Sequence, residues 1–97
     1  MVYAASKGGI VSMTRGLART LAPHGITVNS ISPGGVDTSM LRGGQTEEQL
    51  ERFIDLIPMG RLGTPAEMAA TAVFLASDHA SYITGATINV SGGQLMY

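Results

Sequence analysis

The segment ITVNSISPGG at residues 26–35 decides the fold class. Its first part is rich in β-branched side chains, which favour a strand over residues 26–32. The Pro-Gly-Gly that follows predicts a turn, because proline and glycine interrupt regular structure. A second such segment, ATINV at residues 86–90, is followed by Ser-Gly-Gly at residues 91–93. The sequence therefore predicts two short strands, each ending in a glycine-rich turn.

The first predicted helix precedes the first strand. It covers residues 3–22 and ends at Pro23-His24-Gly25, where Gly25 is placed as the C-terminal cap. Apolar side chains recur in it at steps of three and four, which indicates one apolar face. These side chains are Ile10, Met13, Leu17 and Leu21.

Two further helices are predicted between the strands. One begins with the capping-box pattern TEEQ at residues 46–49 and ends before Pro58. The other has Thr64 as its N-cap, Pro65 in the first helical position and Glu67 completing a second capping box. The side chains predicted to line its buried face are Met68, Ala72, Val73 and Ala76. Residues 39–45 are predicted to form a mobile loop.

The order of these elements indicates a parallel sheet. Two strands separated by a helical crossover of this length pair in the same direction. Parallel sheets are covered by helices on both faces and usually contain more than two strands. The predicted fold class is therefore α/β, and the chain corresponds to the closing part of a doubly wound sheet.

The composition limits the possible classes of protein. The chain has 97 residues, 44% hydrophobic and 13% charged, with a net charge of −1. Globular proteins usually contain about 25% charged residues. The low proportion of charged residues indicates either that the protein self-associates or that it is one part of a larger fold. We expect a cytoplasmic protein with no nucleic-acid partner, because the net charge is −1, and no membrane partner, because no apolar run reaches about 18 residues. We expect no metal site, since there is no cysteine and the two histidines lack ligand spacing.

Tyr3 and Lys7 are the first candidates for chemistry. Four residues apart in a helix, they share one face. An ammonium group near a phenol favours the phenolate and lowers the tyrosine pKa from about 10. Tyr3 could therefore act as a general acid or base. The alternative is an ordinary surface pair.

The segment PGGVDT at residues 33–38 is the second candidate. It follows the carboxyl end of a strand, which is where ligands bind in open α/β sheets. Glycine lets the backbone approach a flat ring, and Thr38 offers a hydroxyl group. Met40 opens the adjacent loop and is expected to touch a substrate. The alternative is a simple strand-to-loop turn.

These segments together resemble the short-chain dehydrogenase/reductase family. Tyr3 to Lys7 resembles its active-site Tyr-x-x-Ser-Lys, and residues 33–38 resemble its Pro-Gly-x-Val-x-Thr. The resemblance continues, in order, through the remaining matching segments, which are residues 21–29, 58–67, 74–78, 82–85 and 88–93.

The resemblance implies an oxidoreductase that interconverts an alcohol and a ketone with NAD or NADP. Tyr3 would exchange a proton with the substrate oxygen and contact the cofactor, and Lys7 would hold the nicotinamide ribose. The other residues implied to contact the cofactor are Pro33, Gly34, Val36 and Thr38. Those implied to form the lid over the substrate are Gly35, Ser39, Met40 and Phe53. A homo-oligomer, dimer or tetramer, is also implied.

One feature of the family has no counterpart in the sequence. The family begins with a dinucleotide-binding half, of Rossmann type, which contains a glycine-rich phosphate loop. We therefore expect residues 1–97 to be a single partial domain, a C-terminal fragment that is inactive by itself. The alternative is a non-catalytic, self-associating α/β module, or a truncated relic, that binds no cofactor. Substrate, cofactor preference and reaction direction stay open.

Overall fold

The computed structural model describes the backbone of residues 2–95 and the side chains of residues 5–95. It has an α/β architecture. Its helices and strands are α1 (Val2–Leu21), β1 (Ser30–Pro33), α2 (Ser39–Gly43), α3 (Glu47–Asp55), α4 (Pro65–Leu75) and β2 (Thr87–Val90). Single 3₁₀ turns cover Ala22–His24 and Asp78–Ala80. Within the described backbone, no helix combines the length and apolar character that a bilayer crossing requires.

Strands β1 and β2 form a two-stranded parallel sheet. The N–H of Ser30 donates to the carbonyl of Ala86, and the N–H of Gly34 donates to the carbonyl of Val90. The partner advances by four residues in the same direction as the donor, which is the register of a parallel pair. The predicted α/β class and parallel pairing are confirmed.

Strand β1 is shorter than predicted, because it begins at Ser30. Before that point one main-chain hydrogen bond remains, from the N–H of Gly85 to the carbonyl of Val28 at 2.7 Å, and side chains supply the other contacts. The N–H of Val28 donates to Oγ1 of Thr84 at 3.0 Å, and Oδ1 of Asn29 accepts from the N–H of Ala86 at 3.0 Å. The prediction of a strand over the preceding four residues is therefore wrong. The β-branched side chains there follow an irregular path fixed by side-chain hydrogen bonds.

The chain divides into two compact units. One comprises Met1–Ile31 and Val73–Ile88, and the other comprises Ser32–Ala72 and Asn89–Tyr97. In the first unit the buried apolar side chains are Ala18 and Ala80, and in the second they are Ile57 and Leu62.

Helix α1 confirms the first predicted helix to within one residue at each end. Gly25 has φ of 75° after the 3₁₀ turn and is the predicted left-handed cap. The helix buries small side chains, Thr14 and Ala18, and Ala18 lies beside Gly85. The apolar stripe is instead exposed within this unit, with Met13 59% accessible.

Helix α2 contradicts the predicted mobile loop. Thr38 is extended, and its Oγ1 accepts from the N–H of Leu41 at 3.2 Å, which is an N-cap. Arg42, in the last turn, forms two hydrogen bonds with Asp37, just before the cap. The first contact provides a hydrogen-bond acceptor for a main-chain N–H of the first turn. The second joins the last turn of the helix to the residue before the N-cap. A loop prediction from Gly43 and its neighbouring glycine was therefore wrong.

Helix α3 has the predicted capping box. Oγ1 of Thr46 accepts from the N–H of Gln49, and the side chain of Gln49 accepts from the N–H of Thr46. The helix ends at Asp55, before the predicted stop at Pro58. Ile57 therefore lies beyond the helix, where it is 3% exposed.

Helix α4 begins as predicted but exposes a different face. Its capping box joins Thr64 and Glu67 through two hydrogen bonds, at 2.9 and 3.1 Å. Met68 is half-buried, whereas Val73 is 68% exposed. Ala72 and Ala76 are exposed too, so this part of the predicted buried face is wrong. The helix is apolar almost all round, and its periodicity therefore does not select one face.

Replacing Thr64 by alanine tests the start of α4. We expect Thr64→Ala to lower the free energy of unfolding by about 1 kcal/mol, because it removes the N-cap acceptor. Thr20→Ala is the matched control, since the hydroxyl of Thr20 only donates to a carbonyl within α1. Urea unfolding measures both. Equal effects of the two substitutions would contradict the capping role.

Candidate functional site

Helix α1 contains both members of the predicted catalytic pair. Tyr3 and Lys7 are four residues apart within Val2–Leu21, and these positions fall on one face of the helix. The side chain of Tyr3 lies outside the described residues, and that of Lys7 is half-buried. The helix thus confirms the spacing, and the chemical roles stay predictions.

The PGGVDT segment (residues 33–38) leaves the carboxyl end of β1 and is held by its main chain. Gly35 donates its N–H to Oε1 of Gln94 at 3.2 Å. Its carbonyl accepts from the N–H of Gly63 at 2.9 Å, and the N–H of Asp37 donates to the carbonyl of Gly63 at 2.8 Å. Gly63 therefore forms a parallel bridge across Val36. The segment has a fixed path within the second unit.

Close packing explains both glycines of this segment. A Cβ atom on Gly34 would lie 2.8 Å from Cβ of Ser91, and one on Gly35 would overlap the ring of Phe53. Neither glycine has a positive φ, so space rather than backbone conformation requires them. Among the predicted lid residues, the structure therefore brings Gly35 and Phe53 together.

The other predicted site residues of this unit differ in exposure. Gly34 and Val36 are half-buried, and Pro33 is exposed. Ser39, in the first turn of α2, is also exposed, and Met40 beside it is 89% accessible. The structure thus brings no described side chain of this unit over Met40.

Thr38 combines a structural contact with a free donor. Its exposed Oγ1 accepts from Leu41 as the N-cap of α2. A hydroxyl group also carries one proton that it can donate. Thr38 can therefore start the helix and donate a hydrogen bond to a ligand at the same time.

Asp37 and Arg42 form an ion pair beside Thr38. Nε of Arg42 donates to one carboxylate oxygen of Asp37, and Nη2 donates to the other at 3.0 Å. The hydrogen bond from Arg42 lowers the pKa of Asp37 below its ordinary value. The sequence interpretation missed this pair, although an acid before the N-cap and a base in the last turn were visible signals.

Gln94 is a second residue that the sequence interpretation missed. Its side-chain oxygen accepts from Gly35, and Oγ of Ser91 fixes the turn through hydrogen bonds with both main-chain groups of Leu95. Gly92 in this turn has φ of 62° and accepts from the N–H of Met59. Ser-Gly-Gly marked a turn in the sequence, but no local pattern indicated that the following glutamine reaches residue 35.

Arg61 and Glu67 form a bidentate ion pair near the same segment. Both nitrogen–oxygen distances are 2.9 Å. The hydrogen bonds from Arg61 and then from the N–H of Thr64 lower the pKa of Glu67 to about 2. Within residues 2–95, no three histidine, aspartate or glutamate side chains cluster closely enough to hold a metal ion.

Comparison with known proteins matches almost the whole chain. A family model described as enoyl-(acyl carrier protein) reductase matches residues 1–94. A 3-oxoacyl-[acyl-carrier-protein] reductase of Vibrio harveyi is 44% identical over 94 residues, which are 97% of this chain and 38% of that protein. An acetoacetyl-CoA reductase of Rhizobium meliloti is 50% identical over 92 residues, 95% of this chain and 38% of that protein.

A third relative is named for a different activity. A glucose and ribitol dehydrogenase homolog of Oryza sativa is 46% identical over 94 residues, 97% of this chain and 31% of that protein. The chain therefore spans less than two fifths of the length of these three relatives.

The Glu67 carboxylate predicts a pH-dependent stability. Its pKa falls from an ordinary value of 4.5 to about 2, so its contribution is complete above pH 4.5 and is lost as the pH falls through about 2. Because the ion pair is exposed, we expect a small difference in melting temperature between the unmodified chain and Glu67→Gln, which is largest near neutral pH and shrinks toward pH 2. Thermal unfolding monitored by circular dichroism measures this difference. A difference that does not change with pH would contradict the assignment.

Gly35→Ala tests the contact with Phe53. We expect the substitution to lower the free energy of unfolding by about 1–3 kcal/mol, because the added methyl group overlaps the aromatic ring. Gly43→Ala is the matched control, since nothing lies within 4 Å of its Cβ position at the end of α2, and it should be neutral or stabilising.

A second substitution makes that test specific. Phe53→Leu combined with Gly35→Ala should cost less than the sum of the two single substitutions, because the smaller side chain leaves room for the methyl group. Chemical denaturation of the four proteins gives the coupling energy. Strict additivity would show that Phe53 is not the group that excludes a side chain at residue 35.

Proposed function

Since the chain belongs to the short-chain dehydrogenase/reductase family, we propose that the protein carrying it is an NAD(P)-dependent oxidoreductase that interconverts an alcohol and a ketone. The observation that supports this most directly is the PGGVDT segment, which is fixed by Gly63 and Gln94 at the carboxyl end of β1. Ligands of open α/β sheets bind at this edge.

We assign the proton transfer to Tyr3. A phenol with an ordinary pKa of about 10 is a poor base at neutral pH. An ammonium group one helical turn away, at Lys7, favours the phenolate, and the positive end of the α1 dipole does the same. Tyr3 then gives its proton to the substrate oxygen during reduction and takes it back during oxidation.

The PGGVDT segment provides a suitable surface for the nicotinamide end of the cofactor, which supplies or accepts the hydride when bound. Thr38 is exposed and keeps one donor proton, so it can bind a carboxamide oxygen. Pro33, Gly34 and Val36 offer a backbone whose path is fixed by main-chain hydrogen bonds. A fixed path limits the entropy lost when the ring binds.

The substrate class is proposed from the substrates for which the relatives are named. Two of them name 3-oxoacyl-[acyl-carrier-protein] and acetoacetyl-CoA, and the third names glucose and ribitol. We propose a 3-oxoacyl thioester first, because both thioester relatives share a reductase name and the higher identity is 50%. Residues 39–57, with Ser39, Met40 and Phe53, form the adjacent lid in this proposal.

A second function is supported by the exposed apolar side chains of α1. Ile10, Met13 and Leu17 are all more than two fifths accessible within their unit, which favours contact with another surface. A homo-oligomer, dimer or tetramer, satisfies this requirement in the enzyme. It also suits a non-catalytic, self-associating module. Micromolar binding of NADH or NADPH by the 97-residue chain would exclude that alternative.

Tyr3→Phe is the decisive test of the proposed enzyme. The assay uses a hybrid in which this chain replaces the matching part of the Rhizobium meliloti acetoacetyl-CoA reductase, with acetoacetyl-CoA as substrate. We expect Tyr3→Phe to lower kcat by about 10²- to 10⁴-fold, because it removes the acid/base group. The Kd of the cofactor, followed by its fluorescence, should change little.

Tyr82→Phe provides the matched control for this test. Tyr82 is fully exposed, so removal of its hydroxyl group should leave kcat unchanged. A decrease of less than tenfold for Tyr3→Phe would overturn the proposed role. An inactive unmodified hybrid that still folds and binds the cofactor would count against the proposed reaction itself.

A further inference from the structure

Two successive peptide groups, Leu62–Gly63 and Gly63–Thr64, face the PGGVDT segment. The N–H of the first donates to the carbonyl of Gly35 at 2.9 Å, and the carbonyl of the second accepts from the N–H of Asp37 at 2.8 Å. Each peptide group therefore uses one of its two polar atoms to hold the proposed nicotinamide surface.

The remaining polar atom of each peptide group contacts the Arg61–Glu67 ion pair. Nη1 of Arg61 donates to the carbonyl of Leu62 at 3.1 Å. Oε1 of Glu67 accepts from the N–H of Thr64 at 2.9 Å. The two side chains also bind each other at both ends of the guanidinium group. A cation and an anion thus hold the outer side of the two peptide groups.

We propose that Arg61 and Glu67 are positioning residues, which fix the path of Gly35 to Asp37 through the two intervening peptide groups. The inference rests on the proposed function, because that function makes this path the nicotinamide surface. Arg61 acts on the peptide group of Leu62, and Glu67 acts on that of Thr64. Neither residue is assigned a contact with the cofactor.

The exposure of the pair supports a positioning role over a purely stabilising one. The side chains of Arg61 and Glu67 are 53% and 44% exposed, and ion pairs as exposed as this contribute little to global stability. A charged donor nevertheless strengthens the hydrogen bonds that the same peptide group makes on its other side. The geometry also requires arginine. Its planar guanidinium group binds both carboxylate oxygens and a carbonyl, and a lysine ammonium group has no such planar set of donors.

The chain contains a matched ion pair that makes no such contacts. Arg52 and Glu48 are one turn apart in α3, and their side chains are 75% and 74% exposed. Their hydrogen bond joins the two side chains only. Arg52→Gln therefore removes a comparable charge and ion pair, and it leaves the peptide groups around Gly63 unchanged.

The first experiment measures amide hydrogen exchange by NMR in the full 97-residue chain. We expect Arg61→Gln to accelerate exchange at Gly63 and Asp37 by at least tenfold. The amide of Gly34, which donates to Val90, should keep its rate. Arg61→Lys should give an intermediate effect, and Arg52→Gln should give none. Equal acceleration at all amides, or none at Gly63 and Asp37, would overturn the inference.

The second experiment measures kinetics in the hybrid reductase. We expect Arg61→Gln to lower kcat by about 10- to 100-fold, because a small displacement of the reacting ring has a large effect on rate. KM for acetoacetyl-CoA should change less than threefold, and Arg61→Lys should restore part of kcat. Equal kinetics for Arg61→Gln and Arg52→Gln would contradict the positioning role.

The two experiments separate failure of the inference from failure of the proposed function. The unmodified hybrid can be inactive while Arg61→Gln accelerates exchange at Gly63 and Asp37 in the 97-residue chain. That result establishes the positioning of residues 35–37 and excludes the enzymatic role. An active hybrid, together with an Arg61→Gln substitution that alters neither exchange nor kcat, supports the reductase function and contradicts the positioning role.

Discussion

The parallel bridge between Gly63 and residues 35 and 37 is the constraint on which the second unit depends. The ladder between β1 and β2 reaches Gly34, and beyond it the chain needs new partners for its main-chain groups. Gly63 supplies two of them, through its N–H and its carbonyl. A Cβ atom on Gly63 would lie 3.0 Å from the methyl group of Met68. The side chains packed around the bridge, Phe53 at Gly35 and Met68 at Gly63, thus determine where glycine fits.

The same few residues begin the helices and form the candidate site. Thr38 ends the bridged segment and caps α2, and Thr64 ends the partner segment and caps α4. Each cap lies within two residues of a bridged main-chain group. Each helix start is therefore joined directly to the bridged main-chain groups. The ion pairs of Arg42 and Arg61 lie beside these two caps.

Features encoded by short-range chemistry could be predicted from the sequence. The capping boxes at Thr46 and Thr64 and the left-handed Gly25 depend on neighbours within four residues, and the structure confirms all three. Features that depend on tertiary contacts could not be predicted. The strand start at Ser30 depends on Thr84, the glycine at residue 35 depends on Phe53, and the role of Gln94 depends on a hydrogen bond across 59 residues. The prediction of a loop over α2 is wrong for a different reason, because the N-cap contact of Thr38 and the Arg42–Asp37 pair outweigh the two adjacent glycines.

The low charge content and the exposed apolar helices have one physical explanation. A two-stranded parallel sheet is smaller than parallel sheets usually are, and its helices need apolar surfaces to pack against on both sides. Helix α4 is apolar around most of its circumference, yet Val73 and Phe74 are 68% and 47% exposed. A helix of this composition is stable in water when most of its faces are covered. The 13% charged residues agree with these exposed faces, because a chain with few charged side chains presents more apolar surface. The Arg61–Glu67 pair differs from the Glu48–Arg52 pair in this setting, because its charged groups bind main-chain groups beside Gly63 as well as each other.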